Sequence, residues 1–285
     1  MKAVTDATLK SLSQIHMQVM WDRLISVTEE QSLTLIRTGF STSTREAGDV
    51  SAGVFDAEGR MLAQAVTGTP GHVNAMARAV RHFLAQFPIG TMQDGGVFFT
   101  NDPWKGTGHL HDFTFVTPAF REGRVIGLLA STSHMVDVGG RGMGPDSRQV
   151  YEEGIHIPLM HFAREGRVED AIVRIIRVNV REATQVIGDL FSLSACNKVG
   201  ARRLVAMMDE FDLDSLDELS THILERSRAA CLEAIRRIPT GTWINEMMVD
   251  GYDQPVRIKA SLSIGADGID VDYSGTSGVS AYGIN

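Results

Sequence analysis

The stretch GHLHDF at 108–113 sets His109 three positions before Asp112, and SHMVDVGG at 133–140 sets His134 three positions before Asp137. Each H-x-x-D pair offers an imidazole nitrogen and a carboxylate oxygen, the donor types that hold divalent cations. Two such pairs presented from adjacent strands would bring two to four donors to one ion. Asp49, at the start of a predicted hairpin, could add a carboxylate from a third strand. A mixed imidazole and carboxylate set favours Mn²⁺, Fe²⁺ or Zn²⁺ over Ca²⁺ and Mg²⁺, which prefer oxygen throughout. The plainer alternative is a group of hydrogen-bonded structural residues, because a single H-x-x-D pair is a common coincidence. Two pairs beside glycines, which let backbones approach closely, put the shared site on an equal footing with that alternative, and spacing goes no further. His111 reads as lying behind the ligands or on the surface. His72 and His156 read as structural, with substrate contact as the alternative.

The elements that must position these residues are legible from periodicity. Leu9, Leu12 and Ile15, and then Met20, Leu24 and Val27 with Ile25 beside them, recur at steps of three and four, which predicts one or two amphipathic helices over 5–37. VSAGVFDAEGRMLAQA places β-prone runs on either side of DAEG, a turn closed by glycine, and predicts a hairpin over 49–65. TGTPGHVNAMARAVRHFLAQF reads as a Gly/Pro loop entering a helix. The segment that follows reads as strand, long polar loop, strand, an EG turn, strand and glycine loop. Beyond residue 160 the chain turns to helix formers, and from 241 alternation returns in VRIKASLSI and IDVDYS. The expectation is an α+β fold with a mixed sheet core, an N-terminal helix and a central helical block. It divides into a metal-binding β-rich region at 1–160, a helical region at 161–240 and a strand return at 241–285 packed on the first, with a single compact unit as the alternative.

Composition narrows the partners. The 285 residues are 43% hydrophobic and 22% charged, enough to bury a substantial core. A net charge of −8 without a basic run argues against nucleic acid. Nowhere do 18 apolar residues follow one another, and the first twenty lack an export signal, so no membrane association is expected. Cys196 and Cys231 stand far apart without C-x-x-C spacing, which fits a reducing cytoplasm.

NDPWKGTGHLHDFTFVTPAF, then STSHMVDVGG, then YEEGIHIP together resemble the hydantoinase B family, which includes the large subunits of acetone and acetophenone carboxylases and the C-terminal half of 5-oxoprolinases. REAGDVSAGVFDAEGRMLAQA, TPGHVNAM and VIGDLFSLSACNKVGARRL resemble that family's first hairpin, the loop after it and its helical segment, so the likeness runs from about residue 15 to the end. It implies a divalent metal, Mn²⁺ or Zn²⁺, held by His109, Asp112 and His134, with Asp49 as a further carboxylate. Asp137 matches an acid that orients the ligands or occasionally joins them. Glu153 and Asp189 match positions that could act as a general base, with a cap or ion-pair role as the alternative. The metal would polarise a carbonyl, stabilise an enolate-like oxygen or lower the pKa of a bound water.

Neither GxxxxGK[ST] nor a strand-borne GxGxxG is present, so ATP is expected only through a separate A-type partner subunit. Two reactions follow from the resemblance: hydrolytic ring opening of a small cyclic amide or imide activated by that partner, or ATP-dependent carboxylation of a ketone. A non-catalytic assembly subunit of the hetero-oligomer is the third reading. Two departures stand out. Where many family members read NDPYxGGTHLxD, this sequence has Trp104, Lys105, Thr107 and Gly108, which leaves the ligands intact and alters the loop around them. The sequence also reaches only about halfway along typical members, which fits a split gene with a separate chain supplying the C-terminal half as a partner, a processed subunit, a truncated sequence or a degenerate copy.

Overall fold

The structure, a computed structural model, describes residues 6–66, 68–142 and 144–283, with side chains from residue 14. Apolar periodicity in the first forty residues produces one helix, α1 (Asp6–Thr38), which buries Leu24, Val27 and Leu35; Thr5, where periodicity predicts the helix to begin, lies outside the described residues. A π-helical turn (Ser43–Ala47) leads into β1 (Val50–Phe55) and β2 (Met61–Gln64), the predicted hairpin. Then come α2 (Pro70–Gln86), β3 (Val97–Thr100), β4 (Asp112–Arg121), β5 (Arg124–His134) and the short α3 (Val150–Glu153). After β6 (Met160–Arg164) and β7 (Arg167–Val168) the helices α4 (Asp170–Asn179), α5 (Ala183–Glu210) and α6 (Asp217–Arg236) follow. The last elements are β8 (Gly241–Val249), β9 (Val256–Ile264) and β10 (Ile269–Asp272).

The chain is α+β, as the order of elements predicts. Its main sheet runs β2-β1-β5-β4-β3-β6-β7, and all its pairings are antiparallel. Helices α1 and α5 lie against one face and α2 against the other. Because both faces are covered, the central strands read as continuous apolar runs. In β3, Phe98 joins the cluster under α2 with Phe83 and Val116, while its neighbour Phe99 joins Phe115, Phe162 and Leu193 on the α5 side.

Two two-residue hairpins share one tetrapeptide. Arg-Glu-Gly-Arg at 121–124 joins β4 to β5, and the same four residues at 164–167 join β6 to β7. Glu122 and Gly123 have φ of 51° and 76°, Glu165 and Gly166 of 48° and 78°, the paired positive values of a type I′ turn. The second hairpin corrects the sequence reading. Helix formers predict helix from 161, but MHFAREGRV is strand and turn, and it extends the main sheet across the boundary drawn at 160.

Asn197 on α5 links the layers. Its Nδ2 donates to the Phe115 and Leu129 carbonyls at 3.3 and 3.4 Å, and its Oδ1 accepts from Gln31 of α1 at 2.7 Å. Satisfied buried polar groups of this kind fix the seating of helices on a sheet.

The two cysteines differ sharply. Cys196 is buried and its thiol is pushed up to about 12 by that burial, whereas Cys231 is exposed. At pH 8 a maleimide should label one thiol of the native chain within minutes and the second only on unfolding; rapid double labelling of native protein would contradict this packing of α5.

Candidate metal centre

Strand register assembles the site. β1, β5 and β4 are neighbours in that order, with Val50 opposite Ser133 and Asp112 opposite His134. Asp49 immediately precedes β1, and its carbonyl accepts from the His134 amide at 3.2 Å. One end of three adjacent strands thus carries Asp49, His134 and Asp112. His109 arrives on the loop between β3 and β4, pinned by Asn101: its Nδ2 donates to the Leu110 and Ile155 carbonyls at 2.8 and 2.9 Å, and its Oδ1 accepts from the Ile157 amide at 2.6 Å. Asp102 closes the turn by accepting from the Trp104 amide at 3.0 Å.

Asp112, 1% exposed, is the hub. Its Oδ1 lies 3.0 Å from His134 Nδ1, and its Oδ2 lies 3.3 Å from His109 Nε2 and 3.0 Å from His72 Nε2. The Thr107 hydroxyl also donates to Oδ2. One donor atom from each of His109, Asp112 and His134 lies within 4.8 Å of the others. Donors about 2.0–2.2 Å from a shared ion stand roughly 3–3.5 Å apart, so small side-chain rotations close the set. These three residues fit a divalent cation in donor chemistry and in placement, and among the described residues the buried His109 Nδ1 has no hydrogen-bond partner.

His72 is the residue that sequence reasoning undervalued. It sits in the first turn of α2, 3.0 Å from Asp112 and 3.6 Å from Asp49 Oδ1, while the Thr69 hydroxyl donates to that same Asp49 oxygen at 2.8 Å. A histidine at a helix start behind a Gly/Pro loop carries little signal by itself; only the hairpin before it and the packing of α2 across β1 and β5 bring it in. His111 is buried beside His134 and not on the surface. β4 starts only at Asp112, so 108–111 is turn. The His111 ring therefore stacks on His134, centroids 5.2 Å apart and planes 11° apart.

Electrostatics suit cation binding, which requires neutral imidazoles and an ionised carboxylate. Burial lowers the His109 pKa, and burial with the neighbouring His134 and His109 brings His111 down to about 4. For Asp112, burial alone would raise the pKa, but hydrogen bonds from His134 and His72 and the nearby positive charge hold it well below the carboxylate range. For His72, burial lowers the pKa, yet the hydrogen bond and charge of Asp112 and the charge of Asp49 outweigh it, and the net shift is upward.

The three candidate acids make no hydrogen bond or ion pair with these residues among the described ones, although the Asp137 charge acts on His111. Asp137 accepts from the Gly139 amide at 2.9 Å, the Glu182 amide at 3.2 Å, the Arg181 amide, and the Arg181 guanidinium at 2.7 Å. It is the carboxylate at the start of α5, where helix amides are unsatisfied and negative charge is favoured. Asp189, fully buried on α5, accepts from the Phe40 and Ser41 amides at 2.6 and 3.3 Å and from the Thr44 hydroxyl at 3.2 Å. The turn it holds reaches the site, since Ser43 donates to the His134 carbonyl at 2.9 Å and the Thr44 and Ser133 hydroxyls meet at 2.9 Å. Glu153 ends α3 and is half-buried; among the described residues its carboxylate has no hydrogen bond or ion pair. His156 is 3.6 Å from Asp102 Oδ2, beside the exposed Trp104. Asp137→Ala should therefore lower stability by about 1–3 kcal/mol, the cost of removing the acceptor from one buried and three part-buried donors, and leave cation affinity within a few-fold of wild type. Urea unfolding and a metal titration measure both; loss of affinity without loss of stability would return Asp137 to the ligand shell.

An antiparallel sheet covered by helices, with a His/Asp cluster where three strands end, defines the class of protein. Residues 13–285 match the family described as hydantoinase B/oxoprolinase, and the chain belongs to that family. The 5-oxoprolinase of Dictyostelium discoideum is 28% identical over 283 residues, 95% of this chain and 22% of the relative. Among solved structures, the ATP-dependent caprolactamase from Pseudomonas jessenii superposes with a TM-score of 0.82 at 24% identity, covering 90% of this chain and 45% of that one. The nucleotide-free acetone carboxylase superposes with a TM-score of 0.86 at 17% identity, covering 99% and 39%. The two superpositions speak to the fold. The chain spans less than half the length of each of these three proteins. No helix among the described residues is long and apolar enough to cross a membrane.

Proposed function

We propose that this chain is the metal-binding portion of a B-type subunit in an ATP-dependent complex that opens a cyclic amide or imide by hydrolysis, with ATP handled by an A-type partner subunit. The observation that carries the reading is the placement of Asp49, Asp112 and His134 on three adjacent strand ends with His109 looped over them. Mn²⁺ or Zn²⁺ suits this set best, with Fe²⁺ as the third candidate; His109, Asp112 and His134 are its ligands and Asp49 the added carboxylate. When bound, such an ion supplies Lewis acidity toward a carbonyl oxygen or lowers the pKa of a water. The chain's own residues prepare that chemistry. Thr107 and His72 orient Asp112, His111 stacks against His134 and fixes its ring plane, and the turn held by Asp189 sets the backbone of His134. In this reading Asp137 and Asp189 are positioning acids, and Glu153 is the acid left free to accept a proton.

The acetone carboxylase fold match favours a second reading, carboxylation of a ketone at the same site. One experiment separates the two. The chain, assembled with an ATP-binding A-type subunit, is supplied with ATP and either hydantoin, 5-oxoproline or caprolactam, or with acetone and bicarbonate. ATP-dependent ring opening that Asp112→Asn abolishes supports the first reading, and carboxylation abolished in the same way supports the second. An assembled, metal-loaded complex that does neither supports a non-catalytic assembly role.

A further inference from the structure

The main sheet has a gap beside β4. β3 pairs with β4 only from Thr100 opposite Thr114 to Phe98 opposite Val116, whereas β4 runs on to Arg121. Beyond Val116 no residue of β3 pairs with β4, and the space left is a cleft of about 450 Å³ between β4, α5 and the loop entering β3. A volume of this size holds a small organic molecule. Asp112 stands at the other end of β4. Thr117 and Phe120 follow it by five and eight residues, which at about 3.3 Å per residue is roughly 17–26 Å, so the cleft is separate from the metal centre.

Both walls are fixed. On one, the Gly95 carbonyl accepts from the Gly166 amide at 2.9 Å, and with Gly95 at a φ of 75° and the Gly166 backbone so close there is no room for a side chain. That contact seats Asp94. On the other, Asn197 ties α5 to β4, its Nδ2 donating to the Thr117 hydroxyl oxygen at 3.3 Å. Lys198, Ala201, Arg202 and Val205 then recur at steps of three and four, so one face of α5 turns two cations and two apolar side chains to the cleft.

The polar groups here lack partners within the chain. The neighbouring Arg203 pairs with Glu30 at 2.7 Å, but Lys198, Arg202 and Asp94 have neither a hydrogen bond nor an ion pair among the described residues. The Thr117 hydroxyl, 4% exposed, accepts from Asn197 and finds no acceptor for its own proton among those residues. A buried donor of this kind favours a ligand oxygen. Between the charges lie Pro118 and Phe120 of β4, facing Ala201 and Val205.

We propose that this cleft binds a small zwitterion, a molecule with a carboxylate and an ammonium joined by a short apolar chain. Lys198, Arg202 and the Thr117 hydroxyl donate to the carboxylate, Asp94 accepts from the ammonium, and the four apolar side chains cover the methylenes. A plain anion meets the Asp94 charge, and a plain cation meets two positive ones. The assignment owes nothing to the metal reading, so either can fail alone.

Titration calorimetry of the full chain with 4-aminobutyrate and 6-aminohexanoate tests it, with a chelator present to keep the metal centre out of the measurement. Saturable binding of at least one of them below about 10 mM is expected, at least about tenfold tighter than that of hexanoate or hexylamine. Lys198→Gln combined with Arg202→Gln, and Asp94→Asn alone, should each weaken it at least about tenfold, while Arg203→Gln, outside the cleft, should not move it. Because none of the three cleft charges is bonded within the chain, the variants should keep the wild-type melting temperature. Absence of saturation, equal binding of hexanoate, affinity unmoved by the cleft substitutions, or a melting temperature that falls with them would each overturn the assignment.

Discussion

Asp112→Asn is expected to weaken divalent-cation binding by roughly 10³-fold, about 4 kcal/mol, and to reduce any activity of the assembled complex to background. Asparagine keeps the shape and removes the charge that His72, His109 and His134 share at 3.0–3.3 Å. In chelated, metal-free protein the same change should cost about 2–4 kcal/mol, because imidazoles poised on a buried carboxylate lose their ionic partner. The pH dependence of that cost has two edges. The Asp112 pKa is depressed in the fold, so its contribution is present above the unfolded value near 3.9 and lost as pH falls through the folded one. The His72 pKa is raised, so its contribution is complete below about 6.5 and lost as pH rises through the folded value. The stability gap between wild type and variant should therefore be widest between about pH 4 and 6.5. Urea melts across pH with a chelator present measure it; a gap that grows steadily above pH 8 would contradict the ion-pair account.

Asp189→Ala has the second large effect, and the carboxylate's surroundings say why. Two backbone amides and the Thr44 hydroxyl donate to it where the side chain is fully buried. Truncation should cost about 3–5 kcal/mol and loosen residues 40–47, and with them the carbonyl of His134 that Ser43 holds. Asp189→Asn distinguishes positioning from proton transfer. Its amide oxygen still accepts from Phe40 and Ser41, and its NH₂ can donate to Thr44 Oγ1, so most stability should return. With geometry restored, cation affinity and turnover should lie within about fivefold of wild type, since ionisation is not required of a residue that only holds a turn. A stable Asp189→Asn protein with turnover down 10²-fold or more would instead mark a general base.

Much of this arrangement is legible in the sequence because strand periodicity and ligand chemistry coincide. His109, Asp112 and His134 stand where polar residues give way to apolar runs, and antiparallel pairing of those runs across an EG turn places Asp112 opposite His134. The same turn chemistry at Glu165–Gly166 carries the second hairpin, but the helix formers after it mask two short strands. His72 is out of reach of local pattern, since its approach to Asp112 is decided by where α2 crosses the sheet. Asp137 and Asp189 show the opposite limit. An acid beside a ligand motif or within a helix looks chemical in sequence, and only the amides of Arg181, Glu182, Phe40 and Ser41 show what occupies its oxygens. Alternation is plain in β9, VRIKASLSI, while β8 breaks it by setting Ile244 and Met248 on the face opposite Trp243 and Met247.

The central claim is one cation held jointly from the ends of adjacent strands. Anomalous diffraction from crystals equilibrated with Mn²⁺, recorded for the wild-type chain and for His109→Ala, measures it most directly. One strong peak is expected at coordination distance, about 2.0–2.3 Å, from His109, Asp112 and His134, and absent from the variant. A wild-type crystal with no peak there, or with the ion bound elsewhere while those three side chains keep only their hydrogen bonds to one another, would contradict the account.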